Sequence, residues 1–163
     1  MTRQHSSPLG TAGFTLVELL TVLVVLGVLT SIAGPRLGSV IRGNRVEGVM
    51  NQLNADVAYT RILAVRSGRS AALCFDTADR RIYTVVTGTC AAPVATHKRQ
   101  DLRSHAVGVT VTVAQGASTL TQVGFNSRGM VAGAAAAVTL TAAQQGKTAA
   151  VELSPLGRTT RTY

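Results

Sequence analysis

The sequence predicts an α+β protein: a long N-terminal helix, with a transmembrane half and an amphipathic half, packed on a C-terminal antiparallel β-sheet domain. Three observations carry that expectation. Residues 14–34 (FTLVELLTVLVVLGVLTSIAG) form an apolar run with a single ionisable group, Glu18. Residues 36–66 repeat apolar side chains every three to four positions, the period of a helix with one buried face. Beyond Gly68 the period changes to two, with turn residues between short strand-like pieces. A helix with one apolar face must bury it against a second layer, here the sheet. The expected organisation is therefore a leader at 1–13, an apolar helix at 14–34, an amphipathic helix at 35–67 and a β-rich domain at 68–163.

The chain has 163 residues, enough for one globular domain besides its N-terminal segment. Its hydrophobic content of 46% excludes wholesale disorder. Sixteen Lys and Arg against seven Asp and Glu give a net charge of +9. Such an excess attracts polyanions, whether nucleic acid or anionic lipid, or simply forms a well-solvated surface.

The leader, MTRQHSSPLGTAG, is short and polar, with Arg3 and no acid. Coiled as a helix, residues 14–34 reach about 32 Å at ~1.5 Å per residue, enough for a bilayer core. Basic residues flank both ends, Arg3 before and Arg36, Arg42 and Arg45 after, so charge alone gives a mixed orientation signal. Three readings of the run compete. It is a secretory signal peptide cut near Ser31-Ile32-Ala33, an uncleaved anchor, or a segment retained after a cut that precedes it. Glu18 separates them. A carboxylate in a membrane helix costs on the order of 2–3 kcal/mol at the centre, and such a charge has a partner. Cleavage after Gly13 would create an ammonium on Phe14, one helical turn from Glu18. In a helical array, Glu18 of one subunit would then neutralise the Phe14 amine of its neighbour and set the axial register.

In the second helical half, Met50, Leu53, Val57 and Ala64 mark the apolar stripe, and Val46, Val49, Ile62 and Val65 widen it. Asn51, Gln52, Asp56 and Arg66 fall elsewhere. Between the halves, Gly34, Pro35, Gly38 and Gly43 make a soft joint, because proline lacks a backbone donor and each glycine weakens a helix by ~1 kcal/mol. Gly68 ends the helix. Residues 71–75 and 81–86 read as strands joined by the turn Asp76-Thr77-Ala78-Asp79. Val107, Val109, Val111 and Val113 alternate with smaller residues as a further strand, and 120–125, 137–141 and 149–154 complete the set. Residues 88–105 read as a polar loop carrying His97, Lys98, Arg99, Arg103 and His105, and 132–137 is low in complexity. Cys74 and Cys90 admit one intramolecular pairing: a disulfide if this region is exported, two core thiols otherwise.

No catalytic constellation emerges. G-x-S-x-G and Gly-rich phosphate loops are absent. His97, His105 and Asp101 do not make a metal-ligand set, and Cys74 and Cys90 are not a C-x-x-C redox pair. The reading is of a protein that is not an enzyme and needs no cofactor.

Gly13-Phe14-Thr15-Leu16-Val17-Glu18-Leu19-Leu20 resembles the prepilin cleavage motif of type IV pilins and type II secretion pseudopilins. The resemblance implies cutting by prepilin peptidase between Gly13 and Phe14, N-methylation of Phe14, an assembly role for Glu18, and a bend near Pro35. Leu73-Cys74, Gly124-Phe125-Asn126-Ser127-Arg128-Gly129 and Ser154-Pro155-Leu156-Gly157-Arg158 resemble the GspH/FimT group in particular. That implies a minor subunit near the tip of a pilus or pseudopilus, held in the inner membrane, with its C-terminal domain in the periplasm or outside. Its partners would be other pilins or pseudopilins. Some members of the group bind DNA during transformation, through a G-R-x-R ending. Here the second arginine comes one position later, in Gly157-Arg158-Thr159-Thr160-Arg161; a one-residue shift reverses the face in a strand and matters little in a loose tail. Arg158, Arg161 and Arg128, with the 97–105 segment, would form the phosphate-binding patch, and Tyr163 would stack on a base.

Overall fold

In the computed structural model, residues 14–162 are described, residues 33–36 by their backbone alone. The helix α1 runs Leu16–Ser67, with Pro35 inside its span. Nine strands follow: β1 (Ala71–Phe75), β2 (Ile82–Gly88), β3 (Pro93–Asp101), β4 (Thr110–Gln115), β5 (Ser118–Thr119), β6 (Gln122–Phe125), β7 (Val138–Gln144), β8 (Lys147–Leu153) and β9 (Thr159–Thr162). They form two antiparallel sheets, one in the order β3-β2-β1-β6 and the other β5-β4-β7-β8-β9. The chain divides into two compact units, the first ending at Ser39 and the second beginning at Val40. Each is described on its own.

In the second unit, α1 buries Val46, Val49, Met50, Leu53, Val57 and Ala64 in one core with both sheets. The sheets contribute Leu73, Phe75, Tyr83, Val85 and Phe125 on one side, and Val113, Leu140, Val151 and Leu153 on the other. The strand alternation is strict in β7, where every second residue is buried. Gly68 closes the helix in the left-handed region, with φ +62°, the conformation that glycine adopts most readily.

Four sequence expectations change here. Ile62 and Val65 do not widen the buried stripe; they are 54% and 52% exposed, on the opposite side of the helix. Residues 88–105 are not a loop throughout, because β3 occupies Pro93–Asp101. As an edge strand with almost no buried side chain, β3 shows no alternation, and its proline and charges are those that keep an edge from further pairing. The valine alternation at 107–113 is strand only from Thr110, since Gly108 turns the chain with φ +74°. The C-terminus forms β9, paired to β8 with Arg161 opposite Val151.

Candidate functional site

In the first unit, Thr15 caps α1. Its Oγ1 accepts the Glu18 amide at 3.2 Å, and its carbonyl accepts the Leu19 amide at 3.2 Å. Thr15-x-x-Glu18 has the spacing of a capping box, and it puts the carboxylate in the first turn, where the helix dipole favours it. Thr21, Thr30 and Ser31 return their hydroxyls to helix carbonyls, which satisfies them inside the apolar run. From Phe14 to Ile32 the large apolar side chains are exposed, Phe14 by 87%. Among the described residues no single helix is long and apolar enough to cross a membrane; the pieces Leu16–Ile32 and Leu37–Ser67, bent by 43°, have the length and composition only when taken together. Gly13 lies outside the described residues, as does the side chain of Pro35.

In the second unit, two glycine turns meet at the end of α1. In the first, Asn126 Oδ1 accepts the amides of Arg128 (2.9 Å) and Met130 (3.1 Å), and Gly129 has φ +76°. In the second, Ser154 accepts the Gly157 amide on its carbonyl (2.8 Å) and the Arg158 amide on its hydroxyl (3.1 Å), and Gly157 has φ +77°. The Val131 amide donates to the Pro155 carbonyl, joining the turns. Arg61 clamps both: Nε donates to the Gly129 carbonyl and Nη1 to the Gly157 carbonyl, each at 3.0 Å. A Cβ on Gly157 would collide with the Gly129 carbonyl and lie 3.0 Å from Arg61 Nε. Both glycines therefore serve close approach as well as turn geometry.

The three arginines expected to form one patch separate here. Arg128 and Arg158 are exposed on the two touching turns. Arg161 is half-buried, and its Nη1 donates to Asn51 Oδ1 on α1 at 2.8 Å. With β9 formed, the one-residue shift matters: opposite the buried Val151, Arg161 faces the helix. Tyr163 lies outside the described residues.

A second cluster fastens β2 and β3 to the helix. Asp56, 3% exposed, accepts from Tyr83 Oη (2.7 Å), Lys98 Nζ (2.7 Å) and Gln52 Nε2 (3.0 Å). Burial, and secondarily the bond to Asp56, pushes the Tyr83 hydroxyl well above its ordinary titration range. Nearby loops carry two forked ion pairs, Arg81–Asp79 and Arg103–Asp101. The Arg103 guanidinium holds the Asp101 carboxyl down at about 2. His97 Nε2 lies 2.6 Å from Thr87 Oγ1 at a bulge in β3. Cys74 and Cys90 are joined, with Cα atoms 5.6 Å apart, which ties the segment after β2 to β1. Among the described residues no group of three or more His, Cys, Asp or Glu could hold a metal ion.

Sequence reasoning missed Thr15, Asp56 and Arg61. Thr15 three residues before Glu18 was a readable signal, and Asp56 sits between the stripe positions Leu53 and Thr60. Arg61 has no local signature, because its partners are 68 and 96 residues away.

A long capped helix with an uncovered apolar first half, followed by a head built of two antiparallel sheets, defines a pilin-like subunit. The chain belongs to the family described as type II transport protein GspH, which it matches over residues 49–157; residues 10–34 match the prokaryotic N-terminal methylation motif. Its fold is similar to that of the type IV minor pilin FimU of Pseudomonas aeruginosa, at 18% identity and a TM-score of 0.61, covering 74% of this chain and 90% of that one. It is also similar to the minor pseudopilin EpsH of the type 2 secretion system of Vibrio cholerae, at 15% identity and a TM-score of 0.55, covering 72% and 96%. Among curated proteins none matches. The chain is thus of the minor pilin and pseudopilin kind.

Proposed function

We propose that this chain is a minor subunit placed near the tip of a type IV pilus or type II secretion pseudopilus, with a structural and not a catalytic role. Prepilin peptidase cuts it between Gly13 and Phe14, and Phe14 is methylated. The apolar half of α1 holds it in the inner membrane until assembly, with residues 40–163 in the periplasm or outside. Glu18 then neutralises the Phe14 amine of a neighbour, and Pro35 lets the helix adjust as subunits pack. The observation that carries this reading is the apolar face of residues 14–32: it is uncovered by its own chain and holds one carboxylate, one turn from the proposed new terminus. N-terminal sequencing and intact mass of the protein from membranes test it. A chain starting at methylated Phe14 is expected; a start at Met1 or Gly34 overturns it.

A second reading, DNA capture by the same subunit, is favoured by one observation: the exposed Arg128 and Arg158 on adjoining turns. The full chain in detergent is titrated with a single-stranded oligonucleotide over a salt series. Binding that falls steeply with salt and is lost in Arg128→Ala/Arg158→Ala is expected for this reading, while Arg161→Ala has a smaller effect. Absence of binding at low salt leaves the assembly role alone.

A further inference from the structure

In the second unit, the first turns of α1 and the loop after β3 border an open groove of about 440 Å³. Its lining includes Ile41, Asn44 and Arg45 on the helix and Ser104 and His105 on the loop. All five are exposed, Ile41 by 42%. Arg45 and His105 are in no ion pair among the described residues, whereas Arg103, beside Ser104, is already neutralised by Asp101. Ser104 Oγ lies 3.0 Å from His105 Nδ1, which leaves Nε2 for a ligand. Half-buried Arg42, next to Ile41, has an Nε shut off from solvent with no hydrogen-bond partner among the described residues.

No acid lines the groove. Glu47 is two positions from Arg45, about 200° round the helix at ~3.6 residues per turn, so it faces away. The other acids of this unit outside ion pairs, Asp76 and Glu152, lie in the β1–β2 turn and on β8. Exposed aliphatic surface among unpaired cations is the composition of a segment that rests in a membrane interface. The covalent chain selects this source of negative charge over others. Ile41 follows Ile32, in the exposed apolar run, by nine residues. Nine residues reach about 14 Å as helix and no more than ~32 Å fully extended. With the apolar run in a bilayer, headgroups lie within that reach at all times. A second copy, with its Glu47 or Glu152, has to be recruited there.

We propose that this groove is a headgroup site for anionic phospholipid. Arg45 and His105 meet the phosphate, and Ile41 rests against the apolar layer beneath it. The proposal rests on the membrane-held reading above, and adds to the anchor a second contact made by the head itself.

The test uses the full-length chain with a fluorophore on Asn44→Cys, reconstituted in vesicles that contain a quencher on lipid headgroups. The vesicles are phosphatidylcholine alone, or the same with about a third phosphatidylglycerol. The control fluorophore is on Ser127→Cys, in the turn held by Arg61, which is 17 residues or about 26 Å along α1 from Asn44. Quenching at position 44 should be about five-fold stronger with phosphatidylglycerol, the factor that one basic side chain near an anionic surface supplies. It should be unchanged at position 127. Arg45→Gln/His105→Gln should abolish the difference, as should raising the salt to about 0.5 M, where surface charge is screened. Equal quenching in the two lipids overturns the proposal, as does a phosphatidylglycerol effect that survives the double substitution. So does efficient joining of two copies by a short crosslinker at unlabelled Asn44→Cys, which puts a second copy in the groove. A chain that does not float with the vesicles at all overturns the membrane-held reading itself, and the proposal with it.

Discussion

Asp56 shows how a buried charge is tolerated on a helix face that otherwise carries apolar side chains. Three donors from three elements reach its oxygens, so the carboxylate exchanges water for a hydroxyl, an ammonium and an amide. Asp56→Ala would leave the Tyr83 hydroxyl without its acceptor in the core and free Lys98 from β3's inner side. We expect a loss of about 3 kcal/mol in denaturant unfolding, discounted from the larger values for fully buried pairs because Lys98 is 35% exposed. Asp101 makes a contrasting case. Its folded pKa is lowered by Arg103, so its contribution is present above the unfolded value near 4 and disappears as pH falls toward 2. NMR titration of the carboxyl should give a midpoint near 2, and Arg103→Gln should return it toward ~3.9.

Among the elements, the two glycine turns are the most constrained. Gly157→Ala meets both a left-handed backbone and the Gly129 carbonyl, and should cost about 2 kcal/mol or more. Gly116, equally left-handed but with open space around it, should cost less on the same substitution, and a pair of thermal melts checks the difference. The link between Cys74 and Cys90, 16 positions apart, closes a short loop, and Cys90→Ser should destabilise the oxidised protein by about 3 kcal/mol. Much of this layer was legible in the sequence. The long helix, its end at Gly68 and six strands follow from period and turn residues, because burial on one face writes alternation into the chain. What was not legible has a common cause. β3 and β9 are edge strands, with little burial to write a pattern. Ile62 and Val65 look like core because they are apolar and near the stripe, yet they serve the outer face. Of the candidate site, the N-terminal motif was readable locally, whereas the Arg61 clamp and the turning-in of Arg161 depend on partners far along the chain.

On the scale of the whole molecule, the second unit holds one core between α1 and both sheets, drawn from residues 46–153. Among the described residues, its buried hydrophobic side chains begin at Val46. We therefore expect a chain shortened to residues 42–163 to unfold in a single cooperative transition, read by circular dichroism and by denaturant melts with coincident midpoints. The Arg61 clamp also has a temporal meaning. Its two acceptors lie 68 and 96 residues downstream, the second in the turn before β9. A loop that long is closed late, after local structure has formed. The grip of Arg61 on Gly157 is thus a mark of completion: until that turn is in place, the helix end is held by the Gly129 turn alone.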